Sequence, residues 1–216
     1  MPCMGREQQT LELVPRLLET AGYDHHDLSL TLVVDGDAGL GQRLSDAFVR
    51  PGAPIAVLRN LGTPQGYWKC LQMGTSHNQA PLIVNLANDL LPGRQWLGRA
   101  VDAFDERFAD GQGIMGFNDG VHSGAHAAHF LASRGLLAAM FGAALWPLHY
   151  HHNYGDTEIV ARAVEKGKFA VAPWAVLYHN HIVTGAANDV VYRTGMSTWE
   201  EDQATFARRQ ANRWQS

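Results

Sequence analysis

Two acidic positions stand where an open α/β sheet would use them. Asp35 follows the apolar run 28–34 (LSLTLVV), and Asn88-Asp89 follows the run 82–86 (LIVNL). Ligands of open parallel sheets bind beyond the carboxyl ends of the strands, where an acid can hold a metal or a ligand hydroxyl. The same acid can instead cap the following helix, and the local sequence leaves both roles open. Asp156 begins a helical stretch, where the helix dipole keeps a carboxylate ionised. His122, His126 and His129 are spaced i, i+4, i+7, which on a helix would align three imidazoles as a zinc site requires. Gly120 and Gly124 argue against a helix there, and no HExxH signature is present. His149, His151 and His152 read as a polar loop beside a site, and His25 and His26 as an exposed turn. Asp35-Gly36-Asp37 lacks the Lys-Ser/Thr ending of a phosphate loop.

Something must hold these residues in place, and composition says what kind of molecule it is. The 216 residues are 46% hydrophobic and 18% charged, with a net charge of −4, enough for one domain with a continuous core. That balance excludes a disordered chain and argues against a general nucleic-acid coat. No run approaches the ~18 apolar residues of a spanning helix, because Pro147 interrupts the stretch 135–148. The amino terminus lacks a charged segment followed by an apolar one. Cys3 and Cys70 are too few for a disulfide framework or a cysteine zinc site, so a soluble, cytoplasmic protein is expected.

Short β-type runs alternate with helical ones over the first two-thirds of the chain. Runs at 28–34, 55–58, 82–86 and 113–117 are separated by helical stripes. Leu11, Val14, Leu17, Leu18 and Ala21 form one stripe, with Pro15 in a first turn or at a kink. Leu97, Ala100, Val101, Phe104 and Phe108 form the cleanest. This order predicts an α/β fold with right-handed crossovers and a mostly parallel central sheet flanked by helices. Later, 134–141 and 156–165 read as helices, the second closed by Gly167. Strands are expected at 169–171 and 175–178, around Pro173. Thr198-Trp199-Glu200-Glu201 is a capping-box signature for a last helix carrying Phe206 and Trp214. Residues 182–197 lack a period and read as a wrapping or mobile segment. The six tryptophans are packing candidates, Trp146 included, although Trp146 could also stack on a sugar or base.

The features then fall into a telling order. Pro2-Cys3-Met4-Gly5-Arg6 precedes a helix, and Val33-Val34-Asp35-Gly36 follows. Next come Arg59-Asn60-Leu61-Gly62, Gly66-Tyr67-Trp68-Lys69, and Asn85-Leu86-Ala87-Asn88-Asp89 with Pro92-Gly93. Tyr154-Gly155-Asp156-Thr157-Glu158 and His179-Asn180-His181 close the series. The succession resembles the GT-A glycosyltransferases, specifically the family 2-like group of nucleotide-sugar-dependent inverting enzymes. It covers the chain to about His181, which implies a domain over 1–181 and an extension over 182–216 whose last helix packs on it.

The resemblance implies a role for each matching position. Pro2, Cys3 and Arg6 lie against the nucleotide base and ribose, and Asp35 contacts the base, typically uracil. Asn88 and Asp89 match an Asp-x-Asp region that reaches the ribose and a divalent cation on the diphosphate. Asp156 is the acceptor's general base, and His179 or His181 is a late metal ligand. Asn88 stands where the family often has Asp. Gly155 replaces the Glu of a Glu-Asp pair, for which Glu158 on the same turn can substitute. The first strand is nearly missing, which implies a short sheet edge or a start upstream of Met1. Lys69 suits a phosphate, or simply a solvated surface.

An oxygen-rich donor set suits Mg²⁺ or Mn²⁺, and a His ligand tilts the choice to Mn²⁺. The implied partners are a nucleotide sugar, most simply a UDP-sugar, and an acceptor glycan, lipid-linked sugar, protein or modified nucleic-acid base. In such an enzyme 182–197 could serve as a lid over the donor, or be plain connection. Three alternatives stay beside this one: a noncatalytic GT-A-like nucleotide-sugar-binding protein, a sugar nucleotidyltransferase, and a zinc hydrolase.

Overall fold

The computed structural model describes residues 1–23, 27–122, 124–180, 185 and 189–215. Its amino-terminal half is a parallel sheet in the order β1 (Pro2–Cys3), β2 (Leu30–Asp35), β3 (Ile55–Asn60). Helices α1 (Glu7–Glu19), α2 (Ala38–Phe48) and α3 (Tyr67–His77) alternate with these strands. Leu32, Val33 and Val34 are wholly buried because both faces of β2 are covered, which is why that run is continuously apolar. Pro15 lies in the interior of α1, on its exposed face, not in the first turn.

The second half departs from the expected parallel sheet. Its strands are β4 (Leu82–Val84), β5 (Leu90–Pro92), β6 (Ile114–Asn118), β7 (Phe130–Ser133) and β8 (Phe169–His179). They form a separate sheet in the order β4-β7-β6-β8-β5, in which β6 and β8 alone are parallel neighbours. One reason is the connection of β6 to β7, which is a loop, since antiparallel neighbours need no helical crossover. β5 and β7 are too short to show a period, so the sequence concealed them. The two strands expected around Pro173 are one strand, with a register shift where Phe117 pairs with Ala172 and Asn118 with Val176.

Helices α4 (Trp96–Arg107), α5 (Arg134–Phe141) and α6 (Gly155–Glu165) match the expected stripes. Beyond β8 the chain forms α7 (Val190–Met196) and α8 (Trp199–Ala211). The side chain of Asp189 caps α7 by accepting from Tyr192 N at 2.8 Å. Two turns of helix therefore occupy most of the described part of a segment without readable period. Thr198 gives α8 no side-chain cap, and its hydroxyl meets Asp202 at 3.3 Å instead.

One apolar cluster gathers Leu13, Leu17, Leu32, Trp96, Phe104 and Phe117 between the first sheet, α1 and α4. A second gathers Trp68, Leu71, Phe130, Leu137, Trp146 and Ile159. Trp146 is core, with its Nε1 donating to Thr75 Oγ1 at 3.0 Å. Trp174 departs from the packing role, being 77% exposed on β8. Among the described residues no helix is long and apolar enough to cross a membrane.

Candidate functional site

The carboxyl ends of β1, β6 and β8 and the turn after β4 meet the amino ends of α1 and α6. Gly5 and Arg6 both take positive φ, 55° and 51°, as the chain turns from β1 into α1. For Arg6 this left-handed backbone costs about 1–2 kcal/mol, and it aims the guanidinium across the turn after β4. Arg6 Nη1 donates to Asp89 Oδ2 at 2.6 Å, and Nε and Nη2 donate to Asp189 at 2.6 and 3.1 Å. Asn88 is buried and ties the same turn to α1, donating to Thr10 Oγ1 at 3.1 Å and Gly5 O at 3.4 Å.

The other oxygen of Asp89, Oδ1, is buried and has no hydrogen-bond partner among the described residues. His179 Nε2, at the end of β8, stands 3.6 Å from it. Burial pushes the Asp89 carboxyl up, but His179 and then Arg6 outweigh it and hold the group below the usual carboxylate range. An orphaned, ionised carboxylate oxygen beside an imidazole fits a divalent cation that accepts O and N ligands. His181, the alternative ligand, lies outside the described residues, as do His25 and His26. Among the described residues no three His, Cys, Asp or Glu groups already form a metal cluster.

A second array runs from the end of β6 to α6. Asp119 is fully buried, and its Oδ1 accepts from the backbone N–H of Val121 and His122, both at 2.8 Å. Its Oδ2 meets His122 Nδ1 at 2.6 Å. The hydrogen bond to this carboxylate raises the His122 imidazole above its ordinary value. His122 and His126 lie edge to face, 4.6 Å between ring centres, and His126 Nε2 stands 3.3 Å from Asp156 Oδ2. In the first turn of α6, Asp156 Oδ1 accepts from Thr157 N at 2.9 Å. Burial raises the Asp156 carboxyl, yet His126 and that N–H bring it below the ordinary value, leaving an ionised base.

The two arrays touch through the backbone, since His179 N donates to Asp119 O at 2.9 Å. His129 sits beneath them, its ring centre 5.0 Å from that of His179 and its Nδ1 3.2 Å from Asn85 O. Burial, then His179, pushes its pKa down to about 4, so this imidazole is neutral. The i, i+4, i+7 histidines thus lie on turns, not a helix, and bond to three different partners. Asp119 escaped the sequence reading, although it too follows an apolar strand as Asp35 and Asp89 do.

The other expected positions have their own surroundings. Glu158 is fully buried, and its oxygens receive Arg209 at 2.8 and 3.0 Å, Tyr150 at 2.8 Å, His149 at 2.9 Å and Arg162 at 3.0 Å. With its oxygens so engaged, it ties α8 to α6. Asp35 is buried and accepts from Asn60 Nδ2 and from the N–H of Gln65 and Gly66, at 2.6 to 3.0 Å. It organises the turn that starts α3. Cys3 is wholly buried, Pro2 is half-buried in β1, and Lys69 is exposed on α3. A cavity of about 600 Å³ opens at the amino ends of the strands among Leu17, Leu30, Leu82 and Trp96, and none of the expected site residues lines it.

This architecture has known counterparts. The mannosyltransferase PcManGT from Pyrobaculum calidifontis, solved with GDP-Man and Mn²⁺, superposes with a TM-score of 0.65 at 15% identity, over 82% of this chain and 55% of that one. The chain has a glycosyltransferase fold. S. aureus TarS 1-349 with UDP-GlcNAc gives a TM-score of 0.61 at 9% identity, over 90% of this chain and 62% of that one. The same protein with UDP gives 0.59 at 11% identity, over 82% and 58%. The chain thus spans less than two thirds of each. No protein-family model matches it, and no curated protein matches it in sequence.

Proposed function

We propose that this protein is an inverting glycosyltransferase moving a sugar from a nucleotide-diphosphate sugar to an acceptor hydroxyl. The observation that carries the reading is the placement of an ionised Asp156, in the first turn of α6, and of the Asp89–His179 pair at one end of a glycosyltransferase fold. Asp156 takes the proton of the acceptor hydroxyl, which is a weak nucleophile without a base in hydrogen-bond reach. The acceptor oxygen bonds to the anomeric carbon from the side opposite the leaving group, and the nucleoside diphosphate departs with the electron pair. A divalent cation bound there would offset the negative charge growing on the diphosphate. Asp89 and His179 would hold it, with His181 as a further candidate, and Arg6 is close enough to share the anion.

A donor with a uracil or guanine base is supported by the ligands of the structural neighbours, which carry UDP, UDP-GlcNAc and GDP-Man. A noncatalytic sugar-nucleotide-binding role is favoured by one feature, the Arg6 guanidinium already seated on Asp89. Titration calorimetry of UDP and GDP with and without Mn²⁺ tests the proposal. Binding of either nucleotide that tightens at least tenfold with Mn²⁺ supports it. The same affinity in EDTA removes the cation from the account.

A further inference from the structure

A buried polar atom without a partner costs about 1–3 kcal/mol, so each one asks for a reason. Among the described residues three side-chain atoms are in that position, and two of them, Asp89 Oδ1 and His129 Nε2, flank one imidazole. That imidazole is His179, whose Nε2 stands 3.6 Å from Asp89 Oδ1 and whose ring centre lies 5.0 Å from that of His129. Asp89 and His179 already have a part in the proposed function. His129, buried just before β7, has none.

The His129 ring is held in the way a metal-ligating imidazole is held. Its Nδ1 faces Asn85 O at 3.2 Å, and a carbonyl only accepts, so the ring hydrogen sits on Nδ1. A second hydrogen on Nε2 would be a buried donor without an acceptor, so Nε2 keeps a bare lone pair. Imidazoles that bind metals commonly give their other N–H to a backbone carbonyl in this manner. Asn85, itself buried, also fixes the backbone on both sides of His129. Its Nδ2 donates to Ala128 O at 2.8 Å, and its Oδ1 accepts from Phe130 N at 2.7 Å. From β6, Phe117 N donates to His129 O at 3.1 Å. None of these bonds uses Nε2.

Resting on the cation-dependent reading above, we propose that His129 Nε2 is a further protein ligand of that cation, beside Asp89 and His179. Two donors about 2.1 Å from one ion lie roughly 3.0–3.4 Å apart, and the centres of two such imidazoles about 4.5–5.5 Å apart. The separations of 3.6 Å and 5.0 Å stand near those values. Among the described residues these groups do not already close into a cluster, so the ion would have to draw them together. The set then holds two imidazole nitrogens and a carboxylate oxygen. Such a set suits a transition-metal dication and disfavours Mg²⁺, which prefers oxygen ligands.

Pulsed electron paramagnetic resonance of the full chain loaded with MnCl₂ and UDP counts the nitrogens on the ion, independently of turnover. His129→Asn keeps an N–H toward Asn85 O and deletes the far nitrogen. It should show one coupled imidazole nitrogen fewer than the parent, and calorimetry should find Mn²⁺ bound about 10- to 100-fold more weakly. His129→Gln guards against an Asn variant that does not fold. Its amide oxygen reaches toward the place of Nε2, so the same nitrogen should be lost with a smaller loss of affinity. The parent should hold Mn²⁺ at least about tenfold more tightly than Mg²⁺, and equal affinities contradict a two-nitrogen set. An unchanged nitrogen count in either folded variant overturns the role of His129 and leaves the cation on Asp89 and His179. A parent that binds no Mn²⁺ overturns the cation reading and this ligand with it.

Discussion

Arg6 Nη1 donates to Asp89 Oδ2 at 2.6 Å, so the carboxylate expected to hold a cation already faces a fixed positive charge. The guanidinium keeps Asp89 ionised and also competes with any metal for it. Arg6→Gln should therefore bind Mn²⁺ more tightly without nucleotide, by about tenfold given an exchange worth roughly 1–2 kcal/mol at this degree of burial. Calorimetric titration with MnCl₂ measures it, and an unchanged affinity separates Arg6 from the cation.

Asp89→Ala removes both oxygens at once. It should abolish the Mn²⁺-dependent part of UDP binding while leaving the circular dichroism spectrum intact. Persistence of metal-linked affinity in this variant would remove Asp89 from the site.

Glu158 predicts acid sensitivity. Burial raises its carboxyl, but His149, Arg209 and Tyr150 more than reverse that and hold the folded-state value below the ordinary one. A depressed carboxylate contributes stability above its unfolded pKa of about 4.3, and that contribution is lost as pH falls through the folded value. Glu158→Gln should cost about 3–5 kcal/mol at pH 7, because it leaves buried cations uncompensated, and should flatten the stability profile below about pH 4. Urea melts from pH 3 to pH 7 check both parts.

Asp202 is the counterpart on α8. It is buried and accepts from the N–H of His151 at 2.8 Å, His152 at 2.9 Å and Asn153 at 2.8 Å, fixing the turn that leads into α6 and Asp156. Asp202→Ala should destabilise the protein by roughly 3 kcal/mol, since buried donors left without an acceptor cost about 1–3 kcal/mol each. Equal thermal midpoints for the variant and the parent would show that this turn holds without it.

Much of this was legible in the sequence for a physical reason. β2 and the α4 stripe declare themselves because burial on both faces of a strand, or on one face of a helix, leaves a periodic record. Asp89 and Asp156 were found because each closes or opens such an element. β5 and β7 left no record, since three or four residues contain too few alternations and their antiparallel partners are distant in sequence. Asp119 was hidden by the glycine-rich turn after it, although Asn118-Asp119 repeats the pattern of Asn88-Asp89. The inward turn of Glu158 could not be read locally, because its partner Arg209 lies on α8. Two residues of spacing rotate a side chain by about 200° on a helix, which leaves Asp156 partly exposed and Glu158 in the core.

The central claim, that Asp156 is the base of a sugar transfer, is tested most directly by nucleotide release from UDP-GlcNAc and GDP-mannose in Mn²⁺. Asp156→Asn keeps the side-chain shape and removes the basic oxygen. The account predicts release of UDP or GDP by the parent protein and a loss of about 10²–10⁴-fold in kcat for Asp156→Asn, with the nucleotide dissociation constant unchanged. Release at the parent's rate by Asp156→Asn would contradict it.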